Sequence, residues 1–384
     1  MAVKATVEVQ RVANKGSVKM STQNNIEIAT TETNSVPLSN NSFEISHLWY
    51  AICLDQNTSK AHGDIKMQFE NGLLLKFIAV IFSALGLGTI LRLVALRGVP
   101  TNTANARFSS LKTWWGLAVL MSLAALMGKF GIILLLATAG ALGLREFLKL
   151  IGWQVLGIPT LIALFASVPI YYLLVWFGFG DVVRWMAPVV FLMVIASTRS
   201  LSGLMEGYIR TTAGAFLGWM VFVYGPSYAY FVTTLSETNE PAVGAVGWFL
   251  YLVILTAVSD IAPAIIGRAI GKTKIIPHTS PNKSLEGLLG GIIVTVVLAV
   301  ALAPWLTTWT FVTGWTGIGL STLSGLLVSI FGFLGGTNMS GIKRDAGVKD
   351  GSSLLPGQGG MMDRIDSLTF TAPTFYFFVL AATR

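Results

Sequence analysis

The chain has 384 residues, of which 53% are hydrophobic and only 11% charged, and its mean hydropathy is +0.69. A soluble domain carries about 25% charged residues, so this composition excludes an ordinary soluble globule and predicts an all-α polytopic membrane protein. The formal charge of +8 lies past residue 70, where twenty Lys/Arg face eleven Asp/Glu; the first 70 residues hold six against seven.

A basic membrane domain suits anionic headgroups or phosphorylated substrates, although a topology bias gives the same excess. The single cysteine, Cys53, rules out an intrachain disulfide. His47, His62 and His278 are too far apart in sequence to suggest a His/Cys metal site.

Residues 1–70 are rich in Ser, Thr and Asn and show no period, which predicts a disordered tail with a short helical patch at FEISHLWYAICL. They lack the pattern of a signal peptide. Apolar spans follow at Leu73–Val94, Trp114–Met127, Phe130–Leu144, Val155–Phe177, Trp185–Ser197, Ala213–Thr233, Val243–Val258, Leu288–Leu306, Trp315–Leu334 and Leu368–Ala382. A crossing helix needs about 20 apolar residues, so short neighbours such as those within 114–144 are expected as two tightly joined helices. The expected total is about nine or ten. Residues 71–250 form the first and middle helices, and 251–384 the region that carries the chemistry.

Loop charge sets the orientation. Arg97, Arg107 and Lys112 follow the first span, and 199–210, 268–283 and 343–364 are also basic. The connections at 178–184 and 235–242 hold few bases, the latter with Glu237 and Glu240, and PWLTTWTFVTGW (304–315) reads as an interfacial Trp belt. The basic loops therefore share one side, cytoplasmic by the positive-inside rule, and the polar site faces it.

Two stretches gather reactive side chains. Ser259–Gly287 begins with Asp260 at the end of an apolar span, where an unpaired carboxylate is expensive. Arg268, Lys272 and Lys274 follow, and then Ser280, Lys283 and Glu286 supply a hydroxyl, a base and an acid. An ordinary loop leading into a capped helix accounts for this composition equally well.

Lys343–Asp366 packs four acids, four bases and five glycines into 24 residues. Lys343, Arg344 and Lys349 can grip phosphates, Arg bidentately and Lys as a point charge. In PGQGG, backbone N–H groups can approach an anion without Cβ obstruction. Asp363 and Asp366 are three apart and share a helix face at the start of the last span. A helix N-terminus favours both, and Mg²⁺ seeks the same hard oxygens. Each piece alone reads as a helix start, a membrane anchor or a loop. Together they point to a nucleotide–metal site at the membrane surface and to phosphoryl or nucleotidyl transfer.

These residues resemble the signature of the phosphatidate cytidylyltransferases (CDP-diacylglycerol synthases). The match runs Ser340-Gly-Ile-Lys343-Arg344, four residues, Lys349-Asp350, then Pro356-Gly357-Gln358-Gly359-Gly360 and Asp363-Arg364-Ile365-Asp366. Ser259-Asp260, Gly267-Arg268, Gly271-Lys272, Ser280-Pro281, Lys283 and Glu286-Gly287 are similar to the family's upstream block. The resemblance implies that CTP and phosphatidate, or a related lipid phosphate, give CDP-diacylglycerol and pyrophosphate with Mg²⁺. It implies Asp363, Asp366, Lys343 and Arg344 as catalytic residues, with Asp363 as the leading metal ligand beside Asp366 and Asp260. Lys349, Asp350, Ser259, Asp260, Ser280, Lys283, Glu286, Gly357, Gln358, Gly359, Gly360 and Arg364 would line the substrates. The expected setting is an integral protein of the inner membrane among membrane lipids, with a homodimer as one assembly and no nucleic acid.

The pattern is broken twice. Gln358 stands where the family has His, and so cannot titrate near neutrality. Gly336 stands where a metal-binding Asp is expected. A paralogue with another acceptor lipid and a non-catalytic lipid- or nucleotide-binding relative therefore remain alternatives. A transporter fits less well, because the charges cluster in predicted loops.

Overall fold

The computed structural model describes residues 72–94, 101–152, 156–203, 205–235, 241–309, 315–348, 351–352, 354–355 and 358–383. The expected tail with its helical patch, together with Arg97, Glu237 and Glu240, lies outside the described residues.

The structure is helical nearly throughout. Helices α1 (Gly72–Val94) and α2 (Thr101–Leu126) are followed by α3 (Gly128–Leu150), α4 (Ile158–Trp176) and α5 (Gly180–Leu201). The next span runs from α6 (Tyr208–Trp219) through a π-helical turn at Met220–Tyr224 into α7 (Gly225–Phe231). Helix α8 (Val246–Ile270) leads into an antiparallel hairpin, β1 (Lys274–Ile276) and β2 (Ser280–Ser284). Helices α9 (Leu285–Leu306), α10 (Trp315–Asp345), the short α11 (Met362–Ile365) and α12 (Leu368–Ala382) complete the chain. Among the described residues, nine segments are long and apolar enough to cross a membrane. The tight joint foreseen within 114–144 falls at Met127–Gly128, where Gly128 has a φ of +64°.

Two helices outrun their hydropathy. The apolar run ends at Val258, yet α8 continues to Ile270; α10 passes Leu334 and reaches Asp345. Backbone at membrane depth must keep its hydrogen bonds within the segment, so a helix does not stop where side chains turn polar. Asp260, Lys343 and Arg344 consequently sit on helices rather than in loops.

Small residues decide the packing around this region. On α9, Gly287, Gly291, Thr295, Ala299 and Ala303 recur every fourth residue and are all buried, forming one stripe against its neighbours. A Cβ on Gly291 would lie 2.7 Å from Pro263 Cδ, and one on Gly287 would lie 2.7 Å from Pro263 O. The proline inside α8 is accommodated because α9 presents no side chain opposite it. Further along, a Cβ on Gly325 of α10 would lie 2.8 Å from Val296 Cα of α9.

Polar bonds then hold the register. Tyr251 Oη donates to Ala299 O at 3.1 Å and lies 2.8 Å from Ser324 Oγ, joining α8, α9 and α10. Thr256 and Thr371 pair their hydroxyls at 2.9 Å between α8 and α12. Thr369 Oγ1 donates to Val221 O at 2.8 Å, using a carbonyl of the π-helical turn. Such interhelical bonds contribute about 0.6–2 kcal/mol each.

Gly291→Leu should force α8 and α9 apart, at an overpacking cost of about 1–3 kcal/mol or more. A thermal melt in detergent followed by size-exclusion chromatography should show a lower midpoint. Gly319→Leu, where a Cβ meets nothing within 4 Å, is the control and should melt as wild type.

Candidate active site

Two polar groups meet where α8, α10 and the α11–α12 junction converge. In the first, α8 brings Asp260, β2 brings Lys283, and the junction brings Asp366 and Ser367. Ser367 Oγ donates to Asp260 Oδ1 at 2.7 Å, and Ser367 N–H donates to Asp366 Oδ1 at 2.8 Å. The Oδ2 of each carboxylate has no hydrogen-bond partner among the described residues. Asp260 is exposed on the open side of the bundle and Asp366 is half-buried. The close approach rests on Gly335 of α10, where a Cβ would lie 2.8 Å from Asp366 O.

Lys283 Nζ donates to Thr337 Oγ1 at 2.8 Å and to Phe333 O at 3.2 Å, and stands 4.5 Å from the Phe333 ring centroid. Burial pulls its ammonium below the ordinary lysine range against the opposing pull of Asp260 and Asp366, and Lys343 repels it further. Gly336 faces this group. A Cβ there would lie 3.5 Å from Lys283 Nζ, 3.5 Å from Ser367 Oγ and 3.8 Å from Asp366 Oδ2. The position at which a carboxylate is expected thus opens onto the acids and lysine of the site, with room for a side chain.

The second group is a clamp built on Asp363. Its Oδ1 accepts Lys343 Nζ at 2.7 Å, and the pair is largely buried, with side chains 9% and 16% exposed. Its Oδ2 accepts the N–H groups of Gly360 at 3.1 Å and Gly351 at 3.2 Å. Both oxygens of Asp363 are therefore engaged by the protein. Gly359 adopts a φ of +85°, and a Cβ there would fall 2.7 Å from Asp363 Oδ2. This glycine is required twice over, by its backbone angle and by the carboxylate beside it.

The other predicted residues divide. Ser259 is buried and donates to Thr256 O at 2.8 Å, beside Gly332 of α10. Glu286 accepts the N–H groups of Lys272 and Thr273 at 3.0 Å each, tying the hairpin to the start of α9. With Ser284 as the N-cap of α9, which accepts Gly287 N–H at 3.2 Å, it forms the capped helix start foreseen for SPNKSLE. Arg344 is exposed and donates to Thr279 O and Val348 O at 3.4 Å, linking α10 to the hairpin turn. Ser280 lies at the start of β2 and Arg364 is exposed. Lys349, Asp350 and Gly357 lie outside the described residues. Gln358 Nε2 donates to Ser110 Oγ at 2.7 Å, anchoring the turn to α2.

Sequence reasoning gave no role to a fourth carboxylate in this region. Glu146 of α3 is 6% exposed; its Oε1 accepts Ser352 Oγ at 2.6 Å and its Oε2 accepts Met362 N–H at 2.8 Å. A Cβ on Gly360 would collide with this carboxylate. The available signal was an acid just past the end of an apolar span, a costly placement that usually marks a partner. Ser110, Thr337 and Ser367 carried no such signal. Among the described residues, no three His, Cys, Asp or Glu side chains are grouped as ligands of one metal.

Comparison with known proteins shows the family. The model of the cytidylyltransferase family matches residues 109–382. The uncharacterized protein YnbB of Escherichia coli is 34% identical over 307 residues, covering 80% of this chain and 98% of that protein. A phosphatidate cytidylyltransferase of Staphylococcus epidermidis is 30% identical over 268 residues, covering 68% of this chain and 96% of the relative. Another, of Haemophilus influenzae, is 45% identical over 134 residues, covering 34% of this chain and 46% of its own. The shared region contains α3, with Glu146, and every other residue of the two polar groups, and the chain is an integral membrane protein of the cytidylyltransferase family.

Proposed function

We propose that this protein transfers the cytidylyl group of CTP to phosphatidate or a related lipid phosphate, giving CDP-diacylglycerol and pyrophosphate for phospholipid synthesis, with its site facing the cytoplasm. The observation that carries this reading is the meeting of Asp260, Lys283, Asp366 and Ser367 from separate elements, directly beside the Lys343–Asp363 pair. The relatives named phosphatidate cytidylyltransferase support it.

In the proposed reaction a lipid phosphate oxygen bonds to the α-phosphorus of CTP while the bond to the α,β-bridging oxygen breaks. The electron pair leaves on pyrophosphate. The nucleophile is already anionic at neutral pH, so no strong base is required, and the Gln at position 358 does not impede the step. Lys283 offers charge to the phosphates, and Lys343, held in place by Asp363, offers a second. The ordered glycine turn keeps Asp363 and Lys343 in register with Asp366.

Magnesium fits this donor set. Mg²⁺ is commonly held by one or two carboxylates together with substrate phosphates, and Asp260 and Asp366 each keep an oxygen unengaged among the described residues. These two residues would hold the ion. Bound there, it would neutralise charge developing on the triphosphate and its leaving group. Asp363 serves instead to position Lys343 and the loop.

A second reading, a relative that binds lipid phosphate or nucleotide without turnover, draws support from Gly336, which leaves the site one carboxylate short. Conversion of labelled CTP and phosphatidate to CDP-lipid by the purified protein separates the two; binding without turnover on any lipid phosphate selects the second.

Three outcomes are expected. Asp260→Asn and Asp366→Asn should raise the Mg²⁺ concentration for half-maximal turnover, whereas Asp363→Asn should lower kcat with that concentration unchanged. A magnesium titration in which Asp363→Asn alone shifts would return the metal to Asp363. Gly336→Asp should raise turnover at limiting magnesium, and unchanged rates there would mean the missing acid is not limiting. Lys283 is charged below its pKa, which burial brings under the ordinary 10.5. Affinity for CTP should therefore fall on the alkaline side earlier than for an ordinary lysine. Lys283→Arg, charged throughout, should flatten that limb in a KM–pH profile.

A further inference from the structure

A cavity of about 910 Å³ opens at the other end of the bundle, between α3, the α4–α5 turn, α5, α7 and α12. Lys129, which lines it, precedes Glu146 on α3 by seventeen residues, about 25 Å at 1.5 Å per residue. The Phe177–Phe179 turn and the end of the α7 span also border this cavity, on the side where the loops hold few bases.

Two cations reach this cavity. The Arg184 guanidinium carbon lies 4.8 Å from the Phe231 ring centroid and 5.1 Å from that of Tyr376. Arg184 also donates to the Tyr376 hydroxyl and pairs with Asp181. The Asp181 side chain is 87% exposed, so this ion pair is open to water and weak. Lys129 is half-buried and makes no hydrogen bond or ion pair among the described residues. Tyr224 Oη donates to Arg184 O at 2.5 Å and lies 2.8 Å from Tyr228 Oη, fixing the backbone under the guanidinium.

An arginine that only needed neutralising at the membrane edge would be satisfied by Asp181. Here it is also held between two aromatic rings, in a hollow that contains a second cation with no partner among the described residues. Among the described residues, two cations and one acid line the hollow. The exposed side chains of Val182, Met186, Val189 and Val190 continue along α5 from this point. A polar, positive hollow that opens onto an apolar helix face suits an amphiphile with an anionic head and hydrocarbon tails.

We infer that this cavity binds the phosphate of an anionic phospholipid from the leaflet opposite the catalytic site, with Lys129 and Arg184 as its cationic contacts and the acyl chains lying along α5. The site is separate from the proposed reaction centre and does not depend on that reaction.

Native mass spectrometry of the full chain in detergent, titrated with phosphatidylglycerol or phosphatidylcholine, tests this. Wild type should retain phosphatidylglycerol in preference to phosphatidylcholine. Lys129→Gln should weaken that retention about fivefold, the effect of one basic residue near an anionic surface, and leave phosphatidylcholine unchanged. Arg184→Gln should weaken it further, and if that variant fails to assemble, Lys129→Gln decides alone. Equal retention of phosphatidylglycerol by wild type and Lys129→Gln overturns the inference. Displacement of the Lys129-dependent lipid by millimolar inorganic phosphate also overturns it, because the hollow would then be a site for free anions.

Discussion

The ion pair between Lys343 and Asp363 joins the end of α10 to the start of the last span across a sixteen-residue loop. At 2.7 Å and largely out of water, it is worth most as an organiser, since losing either partner strands the other. Once Asp363 is fixed, its second oxygen gathers the N–H groups of Gly351 and Gly360, and the loop closes around it. Glu146 then takes Met362 N–H and Ser352 Oγ from the α3 side. Gly359 and Gly360 are required because a carboxylate, Asp363 or Glu146, occupies the place of each Cβ. Asp366 and Ser367 follow one turn later and are thereby brought against α8 and α10.

Much of this was legible in the sequence, for identifiable reasons. Apolar runs disclosed the spans because lipid imposes a length and excludes charge. The charged spacing from Lys343 to Asp366 was legible because its members lie within 24 consecutive residues that join one helix end to the next helix start. The ends of α8 and α10 were not, because hydropathy reports where side chains turn polar while backbone bonding sets where the helix stops. Glu146 was hidden by distance, as its partners lie more than two hundred residues away. Glu286 and Ser284 show the reverse. Both were correctly readable as parts of a helix start, and the structure places them there, while Lys283, just before Ser284, turns to the site.

The two ends of the bundle treat charge differently. At the end that holds the candidate site, acids and bases alternate, and most are neutralised by partners on other helices or by backbone N–H groups. At the opposite end, Arg184 is stabilised chiefly by ring faces and tyrosine hydroxyls, and its carboxylate partner faces water. Ring faces attract a cation without removing its net charge. Arg184 therefore keeps its charge at the far cavity, while the cations of the candidate site are met by carboxylates and neutral acceptors.

The two departures from the family signature differ in weight for the same geometric reason. Gln358 spends its amide on Ser110, so this side chain acts as a tether for the turn, a role that needs a donor and no titration. Gly336 lies inside the charged group itself. Lys283, Lys343, Asp260, Asp363 and Asp366 sum to −1, and an acid at 336 would make the sum −2 and place a carboxylate against Lys283. Without it, Lys283 rests on neutral acceptors, Thr337 Oγ1 and Phe333 O, which an incoming phosphate can replace at little electrostatic loss. The substitution thus moves the site's balance away from cation binding and towards polyanion binding.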